Sequence, residues 1–134
     1  MPSSEHARAG ITLGALAAFA TDVACVVVFC GLGRRTHAEG ITVSGIAATA
    51  WPFLAGTLSG WLLSRGWRRP TALAPTGFTV WIGTVAVGML LRRATSQGTA
   101  VSFVVVAALT TAVLLLGWRA LVAPTGRLSS RRAR

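Results

Sequence analysis

The chain is poor in charge, and poorer still in negative charge. Only 12% of its 134 residues are charged, and the acids number three: Glu5, Asp22 and Glu39. A soluble domain carries roughly 25% charged residues, so a water-exposed globule is excluded. Tyrosine is absent, and every one of the 13 bases is an arginine. Only two cysteines occur, Cys25 and Cys30. They form no CxxC and no Cys/His grouping, which argues against dithiol redox chemistry and zinc binding. They read as small apolar helix residues. No nucleophile stands in a pattern with a base, so no catalytic residue, no cofactor and no enzyme activity are expected. His37 and Glu39 are too few to hold a metal.

Long apolar runs are what the chain has instead. It is 53% hydrophobic, with a mean hydropathy of +0.65. The runs cover 11–33, 41–64, 73–91 and 100–118, and the only charge in any of them is Asp22. Each is close to the ~20 residues a helix needs to cross about 30 Å of hydrocarbon. The expectation is an all-α, four-helix integral membrane bundle. A short N-terminal segment, 1–10, precedes it. A basic tail, 120–134, follows, reading as a disordered segment on anionic lipid. "LAAFA" at 16–20 offers a signal-peptidase pattern, but the run continues through "CVVVFCGLG" and is long enough to stay as a span.

Four spans put both ends on one side. That side collects Arg8, Arg65, Arg68, Arg69, Arg119, Arg127, Arg131, Arg132 and Arg134, against Arg34, Arg35, Arg92 and Arg93 on the other. The asymmetry predicts cytoplasmic termini in a multi-pass plasma-membrane protein. Arginines at helix ends and in a tail suit anionic lipid headgroups. With no soluble module present, nucleic acid is not an expected partner.

Helices in lipid associate through small residues. Gly45, Pro52, Gly56 and Gly60 line one seam of the second span, and "GTLSG" is a GxxxG; Gly77 and Gly88 line the third. The motif serves internal packing or a homodimer face, and a bundle this small would use a dimer for transport. Counting eleven residues inward from each outer end sets Asp22 level with Trp51, Trp81, Thr110 and Thr111, with Thr49 and Thr84 a turn away. This is a midplane polar layer whose N–H and O–H groups can donate to a carboxylate. An intramembrane acid is by default a proton or cation site; the bland alternative is a hydrogen-bonded Asp that fixes packing.

The outer loops, "GRRTHAEG" and "LRRATSQGTAVSF", bring together Arg34, Arg35, His37, Glu39, Arg92, Arg93 and Gln97. Arg-Arg at a helix C-terminus favours the dipole. The same planar donors suit phosphate or carboxylate, so this set is the candidate anion or headgroup site.

The segments "TDV…F.GLGRRTHAEG", "TAWPFLAGTLSGWLL.RGWRRP", "W.GTVAVGMLLRRATSQGTAVSFVVVA" and "LLLGWR" resemble, in order, a family of small bacterial and archaeal membrane proteins known as domain of unknown function 3054. The resemblance runs from about Leu16 to Arg119. It implies a four-span membrane protein of prokaryotic type and supplies no reaction, ligand or functional residue. Function is therefore expected in one of two classes. One is a small transporter or channel-like bundle using Asp22 beneath the arginine-rich vestibule. The other is a lipid- or partner-binding bundle in which Asp22 is structural.

Overall fold

A computed structural model describes residues 2–35 and 42–122. His37, Glu39 and the tail from 123 lie outside the described residues, as do the side chains of Arg34 and Arg35. The described chain is all helical and has no strand. Helix α1 is Pro2–Arg35, α2 Val43–Ser64, α3 Phe78–Ala94 and α4 Val101–Thr111. A wide helical turn, Leu73–Gly77, leads into α3 across a kink at Ala74, and the Ala74–Pro75 peptide is cis. A second wide turn, Ala112–Leu116, extends α4, and helix continues to Val122.

Four stretches are long and apolar enough to cross a membrane: Leu13–Gly33, Val43–Ser64, Leu73–Ala94 and Val101–Val122. They match the expected spans, with later ends for the last two. The segment before residue 11 is no separate arm; its backbone continues α1. Nor does helix stop at 118, since the first three residues assigned to the tail still belong to it.

Local chemistry sets the helix ends. Thr42 caps α2, its hydroxyl accepting from the Gly45 amide at 3.0 Å. That satisfies one of the amides a helix start leaves bare. At the other end Arg65 is left-handed (φ 52°, ψ 52°), and the Gly66 amide reaches back to the Trp61 carbonyl at 2.9 Å. A side chain at Gly66 would meet the Trp61 ring at 2.5 Å, so the α2 terminus is closed by a residue that must be small.

The closest approach is between α2 and α3. A Cβ on Gly56 would run into the Gly83 carbonyl oxygen, and one on Gly60 would lie 2.6 Å from the Val80 Cα. Such contact of backbones is how small residues bind membrane helices. Beside it, the Thr57 and Thr84 hydroxyls lie 2.7 Å apart, one donating to the other while the acceptor donates to a carbonyl of its own helix, Phe53 O at 3.0 Å from Thr57 or Val80 O at 2.7 Å from Thr84. The core has two layers. Near the α1–α2 and α3–α4 connections lie Val26, Phe29, Cys30, Ala50, Phe53 and Ala107. Toward the end holding the α2–α3 connection lie Ala15, Ala18, Trp61, Val80 and Leu115.

Candidate functional sites: a saturated ion pair and an arginine-roofed cavity

Asp22 is buried to 0% exposure, and so is Arg119. The two form a fork-to-fork pair. Nη1 donates to Oδ1 at 2.9 Å and Nη2 to Oδ2 at 2.6 Å. Two indoles complete the set: Trp118 Nε1 donates to Oδ1 at 2.9 Å and Trp61 Nε1 to Oδ2 at 2.8 Å. Each carboxylate oxygen thus accepts two hydrogen bonds, the bidentate geometry in which charge-assisted bonds are strongest. Arg119 is equally committed. Its Nε donates to the Pro70 carbonyl at 3.1 Å and Nη1 also to Leu115 O at 3.1 Å. Its guanidinium carbon lies 4.6 Å from the Trp118 ring centroid. Gly77 leaves the room, since a Cβ there would meet the Arg119 side chain at 3.0 Å.

This assembly corrects the expected midplane layer. Trp51 is 43% exposed and points away. Trp81 donates to Ala108 O at 2.9 Å, tying α3 to α4. Thr84 pairs with Thr57, Thr111 donates to Ala107 O at 2.6 Å, and Thr49 donates to Gly45 O at 3.0 Å. Thr110 is half-buried. None of these six reaches Asp22 by any hydrogen bond among the described residues.

The depth count failed because it treated side chains as rungs at their own Cα. Helical side chains lean toward the N-terminus. Asp22 on α1 therefore leans one way, while Trp61 on α2 and Arg119 beyond α4 lean the other. Asp22 lies thirteen residues from the end of α1, whereas Trp61 and Arg119 lie eighteen from the starts of α2 and α4. At ~1.5 Å per residue that offset is about 7 Å, within the combined reach of a carboxylate and a long partner. The sequence signal was present: a lone in-span acid asks for a base near a span end, whereas Arg119 by its position reads as a topology charge and a headgroup contact.

The second site lies at the opposite end. A cavity of about 600 Å³ opens between α1, α2, α4 and the α3–α4 connection. Phe29 and Phe103 line it, and the fully buried Phe53 packs behind them. Phe29 and Phe53 meet edge to face at 5.4 Å, and Phe103 lies 6.5 Å from Phe29. Arg92 stacks on them, its guanidinium carbon 4.5 Å from the Phe103 centroid and 5.9 Å from that of Phe53. Its Nε donates to Gly98 O and its Nη1 to Gln97 Oε1, both at 3.0 Å. The Gln97 amide in turn donates to Arg92 O at 2.7 Å, so the connection folds back over the guanidinium. Thr49 and Ser102 add hydroxyls to the wall. Gly88 lets Phe53 seat, since a Cβ there would meet its ring at 2.6 Å.

Of the expected outer set, Arg92 and Gln97 are thus brought together on one cavity. Arg93, one position on, is exposed and is not among its lining residues. Phe29, Phe53 and Phe103 were missed, because apolar residues in an apolar span carry no signal of their own. Pro52 and Gly45 sit within α2, the first buried and the second half-buried.

A family model described as "Protein of unknown function (DUF3054)" matches residues 19–122. No curated protein and no solved structure matches. The matched stretch contains the ion pair, both indoles and the whole arginine-roofed cavity.

Proposed function

The chain belongs to the DUF3054 family, and we propose that this member is a membrane-embedded binding protein for amphiphiles with an anionic head, and not an enzyme. The observation that carries the reading is Arg92, its guanidinium carbon 4.5 Å from the Phe103 centroid, in the wall of a cavity of about 600 Å³. A guanidinium on an aromatic face keeps its charge while shielded from water on that side. Its fork suits phosphate or carboxylate, and the phenylalanine lining suits an apolar body. Pockets of a few hundred cubic ångströms, mostly apolar with few polar groups, are the usual form of small-ligand sites.

Asp22 is assigned to packing. A carrier must take up and release a proton, but a protonated oxygen here would set its O–H against an N–H donor. The bundle is a multi-pass membrane protein; we place it in a prokaryotic plasma membrane, the cavity opening outward, on the distribution of arginines.

The test is retention of lipid by protein purified into nanodiscs. Wild type is expected to enrich phosphatidylglycerol or a fatty acid over phosphatidylcholine, and Arg92→Gln to lose about tenfold, the scale of one charge-assisted hydrogen bond. Equal retention of anionic and neutral lipid by wild type rules the reading out.

A further inference from the structure

From sequence, the arginines of the α2–α3 connection read as topology charges and as contacts to lipid headgroups. In the fold that connection borders an open cavity of about 240 Å³, lined by Ser64, Arg65, Arg68, Arg69, Pro75 and Thr76, the three arginines exposed. It lies at the end of the bundle opposite the Arg92 cavity. We propose that it is a binding site for a phosphate group, held by the guanidinium groups of Arg65, Arg68 and Arg69.

Three features separate it from a row of surface bases. The first is order in the backbone. The Arg68 amide donates to Arg65 O at 3.0 Å and the Ala72 amide to Arg69 O at 3.2 Å. Thr76 Oγ1 also donates to Arg69 O at 2.7 Å, and Arg119 donates to Pro70 O. Three successive parts of the connection thus have their carbonyl oxygens taken up by the protein. Their negative ends are used internally, and the ligand-facing chemistry is left to the arginine side chains.

The second is conformation. Arg65 occupies the left-handed region at φ 52°, where a side chain other than glycine or asparagine is uncommon. An arginine there gives up backbone comfort and gains a place in the cavity wall. The third is charge. Three arginines and no acid line one cavity, and the buried acid of the bundle, Asp22, is already saturated by Arg119 and two indoles. The counter-charge that suits such a wall is an anion. Planar guanidinium groups, unlike ammonium groups, match the oxygen edges of phosphate two at a time. Ser64 is the last residue of the second span and Thr76 lies in the first turn of the third, so the cavity sits at a span end, where the group can arrive on a lipid or as a soluble phosphate.

The buried pair gives this loop its anchor. Asp22 fixes Arg119, Arg119 holds Pro70, and Pro70 follows directly on Arg69. Asp22 is thereby a positioning residue for the basic cavity, which accounts for an acid in the first span without a proton to carry.

The experiment uses the full chain in phosphatidylcholine nanodiscs, in two arms: titration with short-chain phosphatidylglycerol, and titration with inorganic phosphate. Arg68→Gln/Arg69→Gln is compared with Arg131→Gln/Arg132→Gln, which removes the same charge from the tail at the same end. At about fivefold per arginine near a lipid surface, the loop double variant is expected to bind roughly 25-fold more weakly in whichever arm wild type binds; the tail double variant, whose arginines also suit anionic lipid, is expected to lose less than that in the lipid arm and to stay within about twofold of wild type in the phosphate arm. Binding in the lipid arm alone names a headgroup; binding in both names the phosphate itself. Equal loss in the two double variants, or wild type binding in neither arm, overturns the site. The outer cavity is itself proposed to take phosphatidylglycerol, so both arms are repeated on an Arg92→Gln background; the loss caused by Arg68→Gln/Arg69→Gln is expected to persist there, so failure of one site is separable from failure of the other.

Discussion

At the scale of residues, one carboxylate organises three helices. Asp22 receives two donors on each oxygen, from α2 and from the helix that continues α4. Removing one member of such a buried pair leaves the other without compensation, at a cost of about 3–5 kcal/mol; replacing both with apolar residues is often near neutral. Asp22→Asn is worse than a neutral change, because its amide hydrogens would face the donors of Arg119 or an indole. Asp22→Asn and Arg119→Gln are each expected to lower the unfolding temperature in mild detergent steeply, while Asp22→Leu/Arg119→Met recovers most of the loss. A double variant as unstable as the sum of the singles would show that the pair is not a unit. The sequence displayed Asp22 plainly, since one acid in an apolar run cannot be overlooked. Its partners were hidden because they depend on the lean of side chains between antiparallel helices, which a depth count from helix ends does not contain.

At the scale of elements, the α2–α3 seam shows what spacing can and cannot reveal. The GxxxG of the second span was legible, and its glycines lie against the third helix of the same chain. The receiving glycine, Gly83, was not legible, because nothing in "WIGTV" distinguishes it from any other small residue. The fit is tight enough that one methyl must move a helix: Gly60→Ala would place its Cβ 2.6 Å from Val80 Cα and 2.8 Å from Thr79 O. Overpacking of this kind costs about 1–3 kcal/mol. Gly60→Ala is therefore expected to lower the unfolding temperature and also to weaken the adjacent Thr57–Thr84 bond. Gly14→Ala, where a Cβ meets nothing within 4 Å, is expected to leave stability unchanged. The seam assignment fails if the two variants unfold alike. Any loss of self-association in Gly60→Ala without loss of monomer stability would instead mark the motif as a face between copies.

At the scale of the molecule, the four-span fold was readable because hydrocarbon thickness fixes run length, and that constraint leaves a plain mark in composition. The sites were less readable because their parts come from opposite ends of the chain: Asp22 with Arg119, Phe29 with Arg92 and Phe103. The bundle also places two basic cavities at opposite ends, so its orientation decides which leaflet each one meets. Nine arginines on the side of the termini and of the α2–α3 connection, against four on the other, predict that the smaller cavity faces the cytoplasm. Single cysteines placed on a Cys25→Ala/Cys30→Ala background check this. Ser102→Cys, exposed at the mouth of the Arg92 cavity, is expected to react with a membrane-impermeant maleimide added outside intact cells. Arg68→Cys, exposed on the α2–α3 connection, is expected to react only after the membrane is opened. The reverse pattern would invert the molecule and hand the larger cavity to the inner leaflet. The lipid and phosphate preferences of the two sites, measured in nanodiscs, would stand as they are, because they follow from guanidinium geometry and not from the side on which it is displayed.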